Sequence, residues 1–165
     1  MKLNIGSSGR QFAGWVHLDR ERVPGTTLCD IRLGLPFGAN SADVIVASHV
    51  LEHLHPFTEL PGVMLELLRV LKPGGVIRIA IPDLAKLVKA LLQPETEEAK
   101  ALAKSQNSLQ AYVGIAYEHM PPALRFSVIA FGNNSGMPYY DGHQWCGDFT
   151  SLEWFLEGAG FINVQ

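Results

Sequence analysis

The stretch from Ala42 to Pro82 constrains the fold more than any other part of the sequence, because it alternates strand, helix and strand patterns. Ala42–Val50 is a nearly continuous β-branched apolar run, which is typical of a strand covered on both faces. Apolar residues recur every three or four positions in Leu60–Leu71, which predicts an amphipathic helix. Pro73 and the two glycines after it end that helix, and Val76–Pro82 alternates as another strand. This order predicts two parallel strands in one sheet.

Three shorter apolar runs precede this unit and predict three further strands. They are Lys2–Gly6, Trp15–Asp19 and Thr26–Ile31. Only about eight residues separate the first two, too few for a crossover helix, so we expect one face of the sheet to be thinly covered. The fold class expected from these elements is α/β, with a Rossmann-like, mostly parallel and doubly wound sheet.

The second half of the chain predicts helices followed by an irregular segment. Helices are expected at Leu84–Leu92, in the charged stretch after Pro94, and around Ser108–Tyr117. Glycines, prolines and aromatic residues then dominate, so we expect a variable helical and loop excursion over about residues 94–147. The whole of residues 1–165 is expected to form a single domain.

The end of the chain predicts one more helix and one more strand. Thr150–Gly158 has a helical pattern, and Thr150 and Glu153 have the spacing of a capping box. Gly160 ends this helix, and Phe161–Gln165 is expected to be a strand.

Composition and charge exclude several classes of function. The chain is 47% hydrophobic and 18% charged with a formal net charge of −3, so nothing electrostatic points to nucleic acid or an anionic membrane. Its apolar runs are too short to span a bilayer, and its N-terminus lacks the apolar stretch of a signal peptide. With only Cys29 and Cys146, no disulfide framework is expected, and a cytoplasmic location is the expectation.

Small or polar residues follow each predicted strand, at the ends where parallel sheets bind ligands. Gly6–Gly9 follows the first strand, Asp19 the second and Asp30 the third, and Ser48 and His49 follow the fourth. Any one of them is an ordinary turn or cap residue. In this order they predict a nucleoside site, with one carboxylate for ribose hydroxyls and another for an exocyclic amine.

Four longer segments resemble successive motifs of the class I S-adenosylmethionine-dependent methyltransferases. They are LNIGSSGRQFAGWVHLD, LPFGANSADVIVASHVLEHL, LRVLKPGGVIRIAIPDL and SLEWFLEGAGFINV. The sequence is most similar to a small bacterial type with the HVLEHL and RVLKPGG blocks, and only roughly Pro94–Tyr140 falls outside the likeness. The resemblance implies S-adenosylmethionine as cofactor and methyl transfer as activity.

The resemblance also implies roles for the residues after the first two strands. Gly6 and Ser8 match the glycine-rich loop under the methionine and ribose of the cofactor, and Asp19 matches the acidic residue that binds the ribose hydroxyls. The family usually has a second glycine where this chain has Ser8, and Gly9 follows one place late. A Cβ at Ser8 would narrow the methionine pocket.

Further matches concern the third and fourth strands. Asp30 and Ile31 match the pair beside the adenine, and Ser48 and His49 match the turn near the sulfonium and the entering substrate. Compared with the family, the sheet is expected to be truncated at both ends, without the preceding helix and with one of the two last strands. Either cofactor binding or stability would suffer from this truncation, or a partner subunit would cover the exposed sheet edge and form a homo-oligomer.

His49, Glu52 and His53 also have the spacing of the inverted zinc-peptidase motif. That motif needs both histidines on one helix and a third ligand downstream. His49 is expected at the end of a strand, and no later acidic helix offers a third ligand, so no metal is expected. Alternatively, Leu51 and Leu54 pack inward while Glu52 and His53 make polar contacts at a helix start.

Residues expected on the substrate side are His53, Tyr140, His143 and Trp145. His143 precedes the last helix, where it would either belong to a lid over the site or anchor the excursion by local hydrogen bonds. Tyr140 and Trp145 would either line an apolar acceptor pocket or pack in the core.

Methyl transfer from a sulfonium is an in-line displacement that depends mainly on alignment, and a base is needed only if the acceptor loses a proton. His49 and His143 are the candidate bases, because histidine titrates near neutral pH. No Pro-Pro-aromatic motif follows the fourth strand, which favours an oxygen or small-molecule acceptor. The leading hypothesis is methyl transfer to a small-molecule or saccharide-like acceptor. A degenerate binding or interaction module is the alternative. A nicotinamide oxidoreductase is disfavoured because GSSGRQ lacks the G-x-G-x-x-G pattern.

Overall fold

The computed structural model describes residues 1–105, 119–131 and 142–165. Its five strands form one sheet in which every pairing is parallel. They are β1 (Lys2–Ile5), β2 (Val16–Asp19), β3 (Thr27–Leu28), β4 (Ala42–Ser48) and β5 (Leu71–Ala80). The spatial order β3-β2-β1-β4-β5 is that of a doubly wound sheet, so the predicted fold class is confirmed.

Five α-helices lie in the described residues. They are α1 (Leu60–Val70), α2 (Leu84–Leu92), α3 (Glu97–Ser105), α4 (Pro122–Phe131) and α5 (Phe149–Ala159). The helices predicted after the fourth and fifth strands and near the end of the chain are confirmed, whereas the one predicted at Ser108–Tyr117 lies outside the described residues. Two short 3-10 turns occur at Ile31–Leu33 and Leu51–His53. None of the described helices is long and apolar enough to cross a membrane.

The main core lies on one face of the sheet, because side chains alternate between the two faces of a strand. Leu3 pairs with Ile45 and Ile5 pairs with Leu18, so these four buried side chains share a face. Helix α1 covers it, and α5 packs beside α1. The buried residues of α1 are Leu60, Val63, Met64, Leu67 and Val70. Each large apolar side chain buried here contributes about 1.5–3 kcal/mol relative to exposure.

The opposite face is less covered, as the short connections predicted. Residues 6–15, between β1 and β2, contain no helix. Lys2, Val76 and Arg78 are exposed on this face, and Val76 is 61% exposed. The outer strands of the described sheet are β3 and β5, and pairing of a second copy along such an edge stays a prediction.

The start of β5 differs from the prediction. Leu71 already pairs with Ala42, and the next pairing joins Val76 to Val44, so residues 72–75 bulge out of the ladder. Gly74 has a φ of 76° within this bulge, a conformation that glycine adopts without a Cβ clash. Pro73, Gly74 and Gly75 therefore form a bulge within β5 instead of a turn before the strand.

The predicted strand at Phe161–Gln165 is wrong. These residues form no ladder with the described strands. Asn163 has a φ of 57°, which breaks an extended run, and Ile162 is 82% exposed. Phe161 and Val164 instead pack against the main core.

The predicted capping box of the last helix is also wrong. The N-cap of α5 is Asp148, whose carboxylate accepts hydrogen bonds from the backbone N–H and the hydroxyl of Ser151 at 2.8 and 2.7 Å. Both Asp148 and Thr150 are residue types that cap helices, and the chain begins the helix at the earlier one.

Helices α2, α3 and α4 pack on one another around a second, smaller cluster of Leu87, Ala103, Met120 and Ile129. The segment before α5 is tied to the start of α2, because Asp83 and Gly147 form an isolated parallel bridge. The backbone N–H of Leu84 also donates to the Gly147 carbonyl at 2.7 Å. Residues 142–147 are thereby held near the carboxyl end of β5.

Candidate functional site

The carboxyl ends of the parallel strands place the predicted cofactor residues along one edge of the sheet. Ile5, the last residue of β1, pairs with Leu18 on one side and Ala47 on the other. The turn that starts at Gly6 is therefore flanked by Asp19 and by Ser48. The strand order reverses between β1 and β4, which is where doubly wound sheets bind their ligands.

The turn after β1 is held tightly against β2. The backbone N–H groups of Gly6 and Ser7 both donate to the Leu18 carbonyl, at 2.9 and 3.2 Å. Gly6 has a φ of 65°, and a Cβ on it would lie 2.3 Å from Cγ2 of Val50. Glycine is required here by conformation and by space. Ser8 has a φ of 44°, a left-handed conformation that costs a residue with a Cβ about 1–2 kcal/mol.

Asp19 is buried and holds this turn closed. Its Oδ2 accepts a hydrogen bond from the Ser8 N–H at 2.8 Å, and its Oδ1 accepts one from the Glu21 N–H at 3.0 Å. A carboxylate offers about four acceptor positions, so two remain for a ligand. The hydroxyl of Ser7 is also buried and has no hydrogen-bond partner within the described part of the chain.

Asp30 follows β3 and is occupied by its neighbours. It caps the 3-10 turn by accepting from the Arg32 N–H at 3.0 Å, and its two oxygens bind the Arg32 side chain, with Nη2 at 2.6 Å. These hydrogen bonds from Arg32 lower the pKa of Asp30 below its ordinary value. Ile31, its predicted partner beside the adenine, is buried at the rim of the main core.

His49 comes directly after β4, as predicted, with its backbone N–H donating to the Ala80 carbonyl at 2.9 Å. Its φ is 57°, so it turns the chain out of the sheet. Ser48 is exposed beside it. The His49 side chain is 62% exposed, and its Nδ1 lies 3.1 Å from Oε1 of Glu52. The hydrogen bond to Glu52 raises the pKa of His49.

Glu52 is fully buried and lies among three histidines. Beyond its contact with His49, it approaches His53 and His143, and one donor atom from each of these three residues lies within 4.8 Å of the others. The rings of His53 and His143 meet edge to face, with centroids 4.9 Å apart. Burial lowers the pKa of His143. We call Glu52, His53 and His143 the Glu–His cluster.

Backbone contacts fix the segment that carries His143. The Gln144 N–H donates to the Glu52 carbonyl at 2.7 Å, and Trp145 Nε1 donates to the Leu51 carbonyl at 2.9 Å. The His143 N–H donates to the Phe131 carbonyl at 3.1 Å. These contacts favour the anchoring role among the two considered for His143.

The two aromatic residues of the predicted substrate side have different outcomes. Trp145 packs against the main core and contacts Phe155, with ring centroids 5.5 Å apart. Tyr140 lies outside the described residues. Leu51 and Leu54 are buried, as expected if the residues between them make polar contacts.

Sequence reasoning did not anticipate that His143 meets Glu52. It treated His49 and His143 as separate candidate bases and Glu52 as a polar contact at a helix start. The available signal was a glutamate between buried leucines with a histidine on either side, since such a carboxylate needs partners from elsewhere.

Comparison with known proteins agrees with this geometry. Residues 12–79 match a family model described as a methyltransferase domain. The match covers less than half of the chain and runs from the turn after β1 through β2, β3, β4 and α1 into β5. No curated protein matches the chain. Together with the all-parallel sheet in the order β3-β2-β1-β4-β5, the match supports the likeness of this chain to the class I S-adenosylmethionine-dependent methyltransferases.

Proposed function

We propose that the chain transfers the methyl group of S-adenosylmethionine to a small-molecule or saccharide-like acceptor. The match of residues 12–79 to a methyltransferase domain supports methyl transfer in general, and the acceptor class is our proposal. The observation that carries it is the meeting of the Gly6 turn, Asp19, Asp30 and His49 at one edge of the sheet, where the strand order reverses.

The residues at this edge fit an adenosyl group. Asp19 has acceptor capacity left for ribose hydroxyls, and the buried Ser7 hydroxyl lacks a partner in the described residues. We assign Gly6, Ser8 and Asp19 to the methionine and ribose, and Asp30 with Ile31 to the adenine. An adenine amine would share Asp30 with the Arg32 side chain.

When bound, S-adenosylmethionine supplies a methyl group on a sulfonium, which is already a good leaving group. The chain contributes alignment of the acceptor with that methyl group. Ser48 and His49 lie beside the Gly6 turn at the end of β4, and the family resemblance implies that they lie near the sulfonium and the entering substrate.

His49 is our candidate base for an acceptor that must lose a proton. If Nδ1–H donates to the buried Glu52 carboxylate, Nε2 is the nitrogen left to accept the proton. Because the side chain is largely exposed, that nitrogen is accessible to an acceptor from solvent. Nothing in the SHVLEH turn supplies the Pro-Pro-aromatic motif of amino-group methyltransferases, which favours an oxygen acceptor.

A second candidate is a binding module that no longer catalyses methyl transfer. Three observations favour it: Ser8 adopts a strained conformation, Asp19 already bonds two backbone N–H groups, and Asp30 is paired with Arg32. Cofactor binding without turnover would identify this function.

Calorimetry with S-adenosylmethionine and S-adenosylhomocysteine tests the cofactor site. We expect Asp19→Asn to weaken binding by about tenfold or more, since a hydrogen bond to a charged group is worth about 1.5–3 kcal/mol. Asp43→Asn is the matched control, because Asp43 lies near the opposite end of β4. Absence of heat with both ligands at submillimolar concentration would contradict the proposed function.

Turnover with a panel of hydroxyl-bearing small molecules tests the second half of the proposal. We expect His49→Gln to lower kcat while leaving cofactor affinity within about twofold, because a general base acts only in the chemical step. Cofactor binding by the wild type with no methyl transfer to any acceptor would favour the binding module.

A further inference from the structure

Glu52 presents a buried carboxylate that is only half satisfied. The residue is 0% exposed, and Oε1 meets His49 Nδ1 at 3.1 Å. Oε2 is buried with no hydrogen-bond partner in the described residues. An uncompensated buried carboxylate is strongly unfavourable, and buried carboxylates are normally paired or coordinate a metal. The free oxygen therefore points to a missing positively charged or donating partner.

His143 also has a ring nitrogen without a partner. Its Nδ1 is buried and has no hydrogen-bond partner within the described part of the chain. A neutral imidazole binds a metal ion through one ring nitrogen, so a buried histidine nitrogen without a hydrogen-bond partner is a candidate ligand atom.

The third side chain completes a familiar donor set. His53 lies against His143, and the donor atoms of Glu52, His53 and His143 lie within 4.8 Å of one another. Bonds of about 2.0–2.2 Å to a tetrahedral zinc ion put neighbouring ligand atoms about 3.4 Å apart. The donors need to approach by roughly an ångström, which small side-chain rotations provide.

The backbone around the cluster is already fixed in the required arrangement. Glu52 and His53 lie in a 3-10 turn directly after the end of β4, and the Gln144 N–H is bonded to the Glu52 carbonyl at 2.7 Å. His49 bonds the other oxygen of Glu52, as an outer partner that orients a metal-binding carboxylate. The donors thus come from two segments that are locked together without the ion.

We propose that Glu52, His53 and His143 bind a divalent transition-metal ion, for which zinc is the best match. Two imidazoles and one carboxylate are a zinc donor set that leaves a fourth coordination position open. His143 is the downstream ligand that the sequence motif lacked. The arrangement differs from the zinc-peptidase motif, because His49 contacts Glu52 instead of binding the ion. The site does not rest on methyl transfer.

Metal content and affinity of the untagged full chain test this proposal. After dialysis against zinc and then against metal-free buffer, elemental analysis is expected to find about one zinc per chain. Cobalt added to the metal-free protein is expected to give the visible absorption of a four-coordinate ion. Less than about a tenth of an equivalent of zinc, with no cobalt spectrum, would overturn the proposal and leave a buried water as the partner of Oε2.

Variants identify the ligands. We expect His53→Gln and His143→Gln each to weaken zinc binding by at least about tenfold, and the exposed His119→Gln to leave it unchanged. Zinc is expected to raise the Tm of the wild type and not that of His143→Gln. Equal zinc affinity in all four proteins would contradict the assignment. Circular dichroism checks that each variant folds. If a further variant, Glu52→Gln, does not fold, the two histidine variants alone test the ligand assignment.

Calorimetry with S-adenosylhomocysteine on the same variants separates the two proposals. His143→Gln is expected to lose zinc and to keep cofactor affinity within about twofold, because His143 contacts the His53 ring and the Phe131 backbone. Intact zinc binding in His143→Gln would contradict the metal site, whereas no binding of S-adenosylhomocysteine by the zinc-loaded wild type would contradict the proposed cofactor site alone.

Discussion

Two regions of the candidate site differ in how far the hydrogen-bonding capacity of their carboxylates is satisfied. At the cofactor-side edge, formed by Gly6–Gly9, Asp19 and Asp30, both carboxylates accept hydrogen bonds from nearby backbone and side-chain donors. In the Glu–His cluster, one oxygen of Glu52 and one nitrogen of His143 are buried without partners in the described residues.

The difference follows from how each region is assembled. The cofactor-side edge uses bonds between neighbouring residues and adjacent strands, so its shape exists before a ligand binds. The Glu–His cluster joins segments that are far apart, since 94 positions separate Leu51 from Trp145, whose contact holds them together. A preformed edge needs little reorganisation on binding, whereas a cluster with unpartnered buried atoms gains stability from a ligand.

The largest effect is expected from Gly6→Ala at the cofactor-side edge. A Cβ would lie 2.3 Å from Val50 Cγ2 at a φ of 65°, so steric overlap and backbone strain combine. We expect a loss of about 3 kcal/mol in the free energy of unfolding, measured with urea. The double variant Gly6→Ala/Val50→Ala should recover part of this loss, and an unchanged stability in Gly6→Ala would contradict the preformed turn.

Trp145→Phe tests the contact that holds the Glu–His cluster together. It removes the hydrogen bond from Nε1 to the Leu51 carbonyl and keeps most of the ring packing. We expect a loss of about 1–2 kcal/mol by urea unfolding. Trp154→Phe is the matched control, because Trp154 is 66% exposed and its replacement should stay within about 0.5 kcal/mol. Equal losses of unfolding free energy in the two variants would contradict the anchoring role of Trp145.

Ser8→Gly tests the strain in the turn after β1. Relief of a left-handed serine gains about 1–2 kcal/mol, and the greater freedom of glycine in the unfolded chain costs about 0.5–1 kcal/mol. We therefore expect a net stabilisation of about 0.5 kcal/mol in thermal or urea unfolding. Gly9→Ala, at a φ of 81°, should act in the opposite direction. Destabilisation by Ser8→Gly would mean that the serine side chain contributes more than its strain.

The smallest expected effect is the pH dependence of the Asp30–Arg32 pair. Hydrogen bonds from Arg32 lower the folded-state pKa of Asp30 below 3.8, so its contribution is present above that pH and is lost as pH falls through the lowered pKa. The stability difference between wild type and Asp30→Asn should therefore shrink below about pH 4. A difference that grows on acidification would contradict the pairing.

Much of the sheet was predictable from local patterns. The apolar runs at Ala42–Val50 and Leu60–Leu71 and the glycine after the first strand each determine local structure without help from distant residues. Asp19 followed from its place at the end of a strand, because parallel strands bring their carboxyl ends together. The segments that carry the family resemblance include these same strands and turns.

The remaining features depend on contacts that no local pattern contains. The early start of β5 depends on pairing of Leu71 with Ala42. Phe161–Gln165 has strand-like residues, but Phe161 and Val164 pack against the main core and the segment joins no described strand. The neighbourhood of Glu52 and His143 arises because Gln144 bonds the Glu52 backbone. Tertiary packing decides each of these.

The central claim is that the carboxylate of Asp19 binds the ribose of the cofactor, and a crystal structure of the S-adenosylhomocysteine complex tests it most directly. We predict both ribose hydroxyls within about 3.2 Å of the Asp19 oxygens, with the Ser8 and Glu21 hydrogen bonds retained. A nucleoside bound elsewhere, or an Asp19 carboxylate that contacts only those two backbone groups, would contradict the account.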